Sequence, residues 1–238
     1  MRYASWDRGV RGAFAILACA LIGISVGAWA APSLEFVSQL GGTCAAVAVE
    51  GNYVYLAQGP RLVVLDISDP TAPVEAGRSE ALENAIQGIA VSDGYAYVAL
   101  DLYGLGVLSL ADPAHPAVVG NLAARDAILG VCVAGDRAVV TERYEGVSVV
   151  SLADKAHPER IGSLALPGRT TGLALVGDTA YVAAGSAGLR LVSLADPAAP
   201  VELGACTTIG NAAGVAVDGD TAYVADERRG LVVVSLAD

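Results

Sequence analysis

Residues 172–205, GLALVGDTAYVAAGSAGLRLVSLADPAAPVELGA, contain four short apolar runs that are separated by turn residues. The runs cover residues 172–176, 180–184, 189–194 and 201–205, lengths that are typical of β-strands. A Gly-Asp pair lies between the first two runs. Prolines occur only between the last two, where they remove no hydrogen bond from a sheet. The stretch therefore predicts four consecutive short strands.

The same pattern recurs along the chain with a nearly constant period, which has the length of one propeller blade. A glycine follows the first strand of every copy, at Gly51, Gly94, Gly135, Gly177 and Gly219. An aspartate follows the third strand of every copy, at Asp69, Asp112, Asp154, Asp196 and Asp238. Four short strands in a repeated unit of this length are the signature of a β-propeller blade. We predict an all-β fold in which residues 31–238 form a β-propeller of five four-stranded blades.

The two ends of the repeat array complement each other. Pro32 precedes Gly51 by the same sequence interval as Pro200 precedes Gly219, so residues 32–40 have the phase of a fourth strand. The last copy supplies three strands and lacks a fourth. We therefore expect the N-terminal strand to complete the fifth blade and close the ring. Two alternatives stay open, a larger or open array of blades and a parallel β-helix.

Two stretches carry a family resemblance. They are RLVVLDISDP at residues 61–70 and GLRLVSLADP at residues 188–197, and the repeat that contains them resembles the LVIVD repeat family. The resemblance covers the chain after residue 30 and implies a β-propeller of bacterial or archaeal surface proteins with no established general activity. The chain departs from the pattern at Lys155, where the third copy lacks the proline, and at the serines that replace Asp66 in later copies.

Residues 1–30 have the pattern of a signal peptide. Three arginines precede an apolar stretch at residues 12–27, and Ala28-Trp29-Ala30 fits a small-x-small cleavage site. This pattern predicts an exported protein that is periplasmic, displayed at the cell surface or secreted. The sequence also leaves open an uncleaved membrane anchor and a lipoprotein cleaved at Cys19.

The chain is acidic, with 14 basic and 25 acidic residues and a formal net charge of −11. Removal of residues 1–30, which contain three arginines and one aspartate, leaves 11 basic and 24 acidic residues. Such a surface repels phosphate backbones and anionic lipids. We therefore expect no nucleic-acid partner, and contact with a membrane only through an uncleaved signal segment.

Residue types that carry catalysis or bind metals are scarce. The two histidines, His115 and His157, lie at the same phase in Ala-His-Pro turns after the third strand. Cys44, Cys132 and Cys206 occupy different phases and show no metal-ligand spacing, so we expect small buried thiols. No nucleophile elbow or phosphate loop is present. We predict no catalytic residue, no metal ligand and no cofactor.

The candidate binding face of a propeller is the one that carries the loops between strands 2 and 3 and between strand 4 and the next strand 1. Residues that break the repeat in those loops are charged or carry amides. The candidate ligand-binding residues are Asn84, Asp101, Arg125, Asp126, Glu142, Arg143, Arg169, Asp226, Glu227 and Arg228. Several such groups around one mouth would suit a polar ligand or a peptide. The alternative is a set of solvated loop tips with weak local ion pairs.

Three functions compete at this stage. The leading hypothesis is a non-enzymatic scaffold that binds protein or polysaccharide. The second is a carboxylate-dependent hydrolase or lyase, with or without calcium, in which Asp101, Glu142 and Asp226 approach one another near the axis. The enzyme is favoured if these three carboxylates lie close together in a closed cleft with raised pKa values. It is disfavoured if they point to solvent in separate ion pairs. The third possibility is an inert spacer, which would have no pocket.

Overall fold

The computed structural model describes Val37, residues 44–207 and residues 210–236. Nineteen strands and no helix occur in this part of the chain. The strands are β1 (Val47–Glu50), β2 (Tyr53–Gln58), β3 (Arg61–Asp66), β4 (Val74–Arg78), β5 (Gly88–Ser92), β6 (Tyr95–Ala99), β7 (Leu105–Ser109), β8 (Ala117–Leu122), β9 (Ile128–Ala134), β10 (Arg137–Glu142), β11 (Gly146–Ser151), β12 (Glu159–Leu164), β13 (Leu173–Val176), β14 (Thr179–Ala183), β15 (Leu189–Ser193), β16 (Val201–Cys206), β17 (Ala212–Asp218), β18 (Thr221–Asp226) and β19 (Gly230–Ser235).

The strands form five antiparallel sheets in which consecutive strands are neighbours. Blades 1 to 4 contain β1–β4, β5–β8, β9–β12 and β13–β16, and blade 5 contains β17–β19. The predicted five-bladed β-propeller is confirmed. The predicted fourth strand of blade 5, residues 32–40, lies outside the described residues, as does the predicted signal peptide at residues 1–30. No helix that could cross a bilayer occurs in the described part of the chain.

The repeated glycines and aspartates form the turns on one face. Gly51, Gly94, Gly135, Gly177 and Gly219 all have a φ between 53° and 74°, a left-handed conformation that only glycine adopts without strain. Each repeated aspartate up to Asp196 accepts a hydrogen bond from the N–H two residues later, and Asp112 and Asp154 also contact His115 and His157. These histidine contacts, followed by the backbone hydrogen bonds, lower the pKa of both carboxyls. The spacing of the landmarks is therefore the spacing of the turns.

The apolar core lies between successive blades rather than within one. Ala96 and Val98 of β6 pack against Tyr55 and Val64 of blade 1, while the intervening Tyr97 faces blade 3. Alternate residues of a strand point to opposite faces, so a middle strand that is buried on both faces is apolar throughout. Similar clusters join blades 3 and 4 and blades 4 and 5. Among the described residues no such cluster joins blade 5 to blade 1.

The cysteines are less buried than the small buried thiols that we expected from the sequence. Cys44, Cys132 and Cys206 are free thiols. Cys132 donates to the carbonyl of Leu173 at 3.5 Å, and burial raises the pKa of its thiol to about 11. Cys44, by contrast, is exposed, so the expectation of a buried thiol is wrong there. It precedes β1, and its thiol donates to the carbonyl of Ala46 at 3.0 Å.

Candidate functional site

A channel with a volume of about 460 Å³ opens among the first strands of all five blades. Its wall is formed at the start of each first strand, next to the loops that arrive from the preceding blade. The lining residues are Ala46, Val47, Gln87, Gly88, Ile89, Leu129, Gly130, Val131, Arg169, Thr171, Gly172, Leu173 and Ala213. The channel therefore opens on the face that carries the loops between strands 4 and 1, which we call the loop face.

Glycines at one phase bring the first strands close together. Gly88, Gly130 and Gly172 follow one another at intervals of one repeat and all line the channel. A Cβ on Gly130 would lie 2.7 Å from the carbonyl oxygen of Thr171 in the next blade, which is closer than any side chain tolerates. The wall of the channel is consequently made in large part of backbone, which offers hydrogen-bonding groups to a ligand.

Two threonines connect neighbouring blades beside this wall. The hydroxyl of Thr141 donates to the carbonyl of Thr171 at 3.0 Å, and the hydroxyl of Thr171 donates to the carbonyl of Ala213 at 2.9 Å. These hydrogen bonds join blades 3, 4 and 5 in sequence. The mouth is thus held by the scaffold before any ligand arrives.

Arg169 is the cation of this lining. It lies in the loop from β12 to β13, is exposed, and has no ion-pair partner among the described residues. Its neighbour Thr170 is buried and anchors the loop, because the Thr170 hydroxyl donates to the carbonyls of Glu142 and Gly146 at 2.9 and 3.1 Å. A fixed loop therefore presents a guanidinium that is available to a carboxylate or another acceptor.

The other charged candidates on the loop face are bonded to each other or to nearby loops. Arg143 of blade 3 contacts Asp101 of blade 2 at 2.8 Å, and both side chains are less than a third exposed. The Glu227 carboxylate accepts a hydrogen bond from the Asn211 amide at 2.7 Å. Arg125 contacts the hydroxyl of Ser163 at 3.3 Å. These contacts connect loops and strands of neighbouring blades.

Three more candidates accept hydrogen bonds from the backbone of loops. Asn84 accepts from the N–H of Ala85, and Asp126 accepts from the N–H groups of Ala127 and Tyr144. Asp226 is buried, and its carboxylate accepts from the N–H groups of Arg228 and Arg229 at 2.9 and 3.0 Å. Arg228 itself is exposed at the loop tip.

Glu142 lies inside the protein, with 1% of its side chain exposed. One carboxylate oxygen pairs with Arg160 of β12, whose Nε also donates to the hydroxyl of Ser148 at 3.0 Å. The other oxygen has no hydrogen-bond partner among the described residues. Since Glu142 and Asp101 are in separate ion pairs, the structure does not gather them into a carboxylate pair. No group of three potential metal ligands occurs in the described part of the chain.

Sequence reasoning missed the glycines, Thr171 and Arg160. The glycines recur in the sequence at a constant spacing. The candidate residues, however, were those that depart from the repeat, and the glycines follow it. Arg160 lies in a strand rather than a loop, and its contact with Glu142 depends on strand register. Of the ten candidates, Arg169 is the one that lines the channel.

Antiparallel blades around a channel place this protein in the class of β-propeller repeat proteins. A family model described as the LVIVD repeat matches residues 41–80, 85–124, 167–208 and 209–236. The chain belongs to the LVIVD repeat family, as the resemblance predicted. The third copy, which contains Glu142 and Arg160, lies outside the matched segments.

Solved structures of two designed proteins resemble the fold. The crystal structure of the computationally designed Ika8 protein has a TM-score of 0.59 and 10% identity, over 82% of this chain and 71% of that one. The designed Ika4 protein has a TM-score of 0.58 and 11% identity, over 69% of this chain and 99% of that one. At such identities the likeness concerns the fold alone. A comparison with curated proteins found no match.

Proposed function

We propose that this protein is an exported, non-enzymatic binding scaffold, which engages a protein or a polysaccharide at the mouth of the axial channel. The observation that carries the proposal is the 460 Å³ channel, whose wall takes residues from all five blades. Concave sites with a few placed polar groups are the usual ligand sites of proteins. An inert spacer would not need such a mouth.

The polar groups at the mouth favour a ligand with an acidic or strongly accepting group. Arg169 has no ion-pair partner among the described residues, whereas Arg143 is neutralised by Asp101. Backbone groups next to Gly88, Gly130 and Gly172 add hydrogen-bonding positions that a peptide bond or a sugar hydroxyl can use. Binding, rather than bond cleavage, is what these groups can do.

The carboxylates that an enzyme would need serve other contacts. Glu142 pairs with Arg160, Asp101 pairs with Arg143, and Asp226 accepts backbone N–H groups of its own loop. A hydrolase that uses two carboxylates needs them on opposite sides of one substrate bond. The contacts of these three acids therefore support the scaffold over the hydrolase or lyase.

Export is supported by the basic start, apolar stretch and Ala-Trp-Ala site of residues 1–30. The full chain, expressed with this segment, is expected in the periplasm or the medium with Ala31 as its first residue. N-terminal sequencing of the recovered protein tests this point, and an intact Met1 in the membrane fraction would show an anchor instead.

A glycan and peptide array probed with the exported protein, with and without calcium, tests the function. We expect at least one binder whose affinity falls about tenfold or more in Arg169→Ala, the loss typical of a removed charge-assisted contact. Arg137→Ala is the matched control, because Arg137 contacts Asp178 at the opposite end of the strands. Absence of any binder, equal losses in both variants, or cleavage of an array member would contradict the proposal.

A further inference from the structure

A second concave surface lies at the outer edge of the propeller, between blades 1 and 2. Two adjoining cavities of about 330 and 270 Å³ share Ala81, Leu82 and Val118. One side is the segment 78–83 that leaves blade 1, and the other is the face of β7 and β8 in blade 2. We call this surface the blade 1–2 groove.

The groove is open because the second copy carries small or apolar residues at positions where the next copy carries polar or charged side chains. The equivalent positions one repeat later are Ser148 for Gly106, Arg160 for Val118 and Glu142 for Leu100. In blade 3 those three side chains bond to one another and occupy the space. In blade 4 the corresponding strands carry Arg190 and Glu202, which form an ion pair at 2.9 Å.

The floor of the groove is apolar and flat. Leu100 is buried, Val118 is 56% exposed, and Leu82 is partly buried. Gly106 of β7 adds no side chain to the floor, and a Cβ there would meet Val98 Cγ2 at 3.0 Å and Leu100 Cδ1 at 3.1 Å. The two volumes are of the size that takes about one or two aliphatic side chains.

The rim of the groove carries unpaired negative charge. Glu80 and Glu83 are exposed, and neither carboxylate has a partner among the described residues. Arg78, the nearest cation of the rim, is already paired with Glu75 at 2.6 Å. An apolar floor with an acidic rim is complementary to an aliphatic side chain flanked by lysine or arginine.

We propose that the blade 1–2 groove binds a short extended protein segment in which aliphatic side chains are flanked by basic residues. This site is separate from the channel mouth and takes a different ligand chemistry. The aliphatic side chain fills the space that Arg160 and Glu142 fill in blade 3, and the basic flank pairs with Glu80 or Glu83. A sugar would bring hydroxyls to an apolar floor that offers them few hydrogen-bond partners.

A peptide titration followed by NMR tests the proposal on the full chain recovered after export. The probe is acetyl-Lys-Leu-Val-Leu-Lys-amide, and its charge-reversed counterpart carries glutamate at both ends. We expect the basic peptide to shift the amide signals of residues 79–83, 106 and 118–121 with half-saturation below about 1 mM. The acidic peptide should bind about tenfold more weakly or not at all, since it meets two carboxylates.

Val118→Arg places in the groove the side chain that the third copy carries, so it should abolish the binding of the basic peptide. Val201→Arg is the matched control, because it adds the same charge at an exposed valine of blade 4. Glu80→Gln with Glu83→Gln tests the rim without adding bulk, and it should remove the preference for the basic peptide. Shifts that map to other residues would overturn the proposal, and so would unchanged binding in Val118→Arg. Absence of binding at about 5 mM probe, 5-fold above the expected half-saturation of roughly 1 mM, would also overturn it.

Discussion

The carboxylate of Glu142 is the most deeply enclosed charge of the described residues whose partner is a side chain. It is 1% exposed, and Arg160, its partner, is 12% exposed. The equivalent strands of blade 4 carry Arg190 and Glu202, of which the glutamate is 34% exposed and solvated. Two ion pairs in equivalent regions of the fold thus differ mainly in burial, which determines the cost of breaking them.

Replacing each arginine by leucine separates the two cases. Arg160→Leu leaves a buried carboxylate without its cation and should lower the free energy of unfolding by about 3 kcal/mol. Arg190→Leu leaves Glu202 in contact with water and should cost less than about 1 kcal/mol. Urea denaturation of both variants measures the difference.

A double variant shows whether the loss in Arg160→Leu comes from the charge. Glu142→Leu with Arg160→Leu removes both partners and should recover most of the stability, because no buried charge is left. Equal losses for Arg160→Leu and Arg190→Leu would contradict the assignment of Glu142 as a buried ion.

At the scale of the strand, the glycine of the fourth strand in blades 1 to 3 determines how closely each of these blades approaches the next. A Cβ on Gly120 would lie 2.1 Å from the carbonyl oxygen of Lys155, and one on Gly162 would lie 2.1 Å from that of Pro197, both in the turn of the next blade. The strands bulge at the same phase, where β7 and β8 change register. In blades 1 to 3, the glycine that follows the inter-strand proline is therefore a contact between blades.

Gly204 provides a control for this contact, because a Cβ there would meet none of the described residues within 4 Å. Gly120→Ala should lower the free energy of unfolding by about 1–3 kcal/mol, the usual cost of overpacking. Gly204→Ala should change it by less than about 0.5 kcal/mol. Thermal or urea unfolding distinguishes the two variants. If Gly204→Ala loses as much stability as Gly120→Ala, the contact between blades is not the reason for the glycine, and strand propensity explains it instead.

The strands themselves were predictable from the sequence. The four runs expected at residues 172–205 correspond to Leu173–Val176, Thr179–Ala183, Leu189–Ser193 and Val201–Cys206. Turn glycines and prolines mark these boundaries locally, so no tertiary information was needed. The burial of Glu142 was not predictable, because it lies at the end of a strand where the sequence suggests a loop, and its partner belongs to a different strand.

At the scale of the whole molecule, the repeat places the same strand of every blade at one axis. Each of the five copies contributes a segment to the wall of the channel. A residue that departs from the repeat there, such as Arg169, therefore lines the channel together with segments of other blades. Arg169 could be predicted as a candidate because it departs from the repeat in a loop. Its position in the channel wall, like the ion pair of Arg143 with Asp101 of blade 2, depends on how the blades associate, and only the structure shows this.

Hydrogen–deuterium exchange of the protein with the ligand that the array identifies tests the central claim most directly. If the ligand occupies the channel mouth, amides at residues 87–89, 129–131 and 171–173 should become protected together, because these three segments belong to different blades and meet only at the axis. The protection should be lost in Arg169→Ala. Protection confined to a single loop, or to the turns at Gly94, Gly135 and Gly177 on the opposite face, would contradict the account.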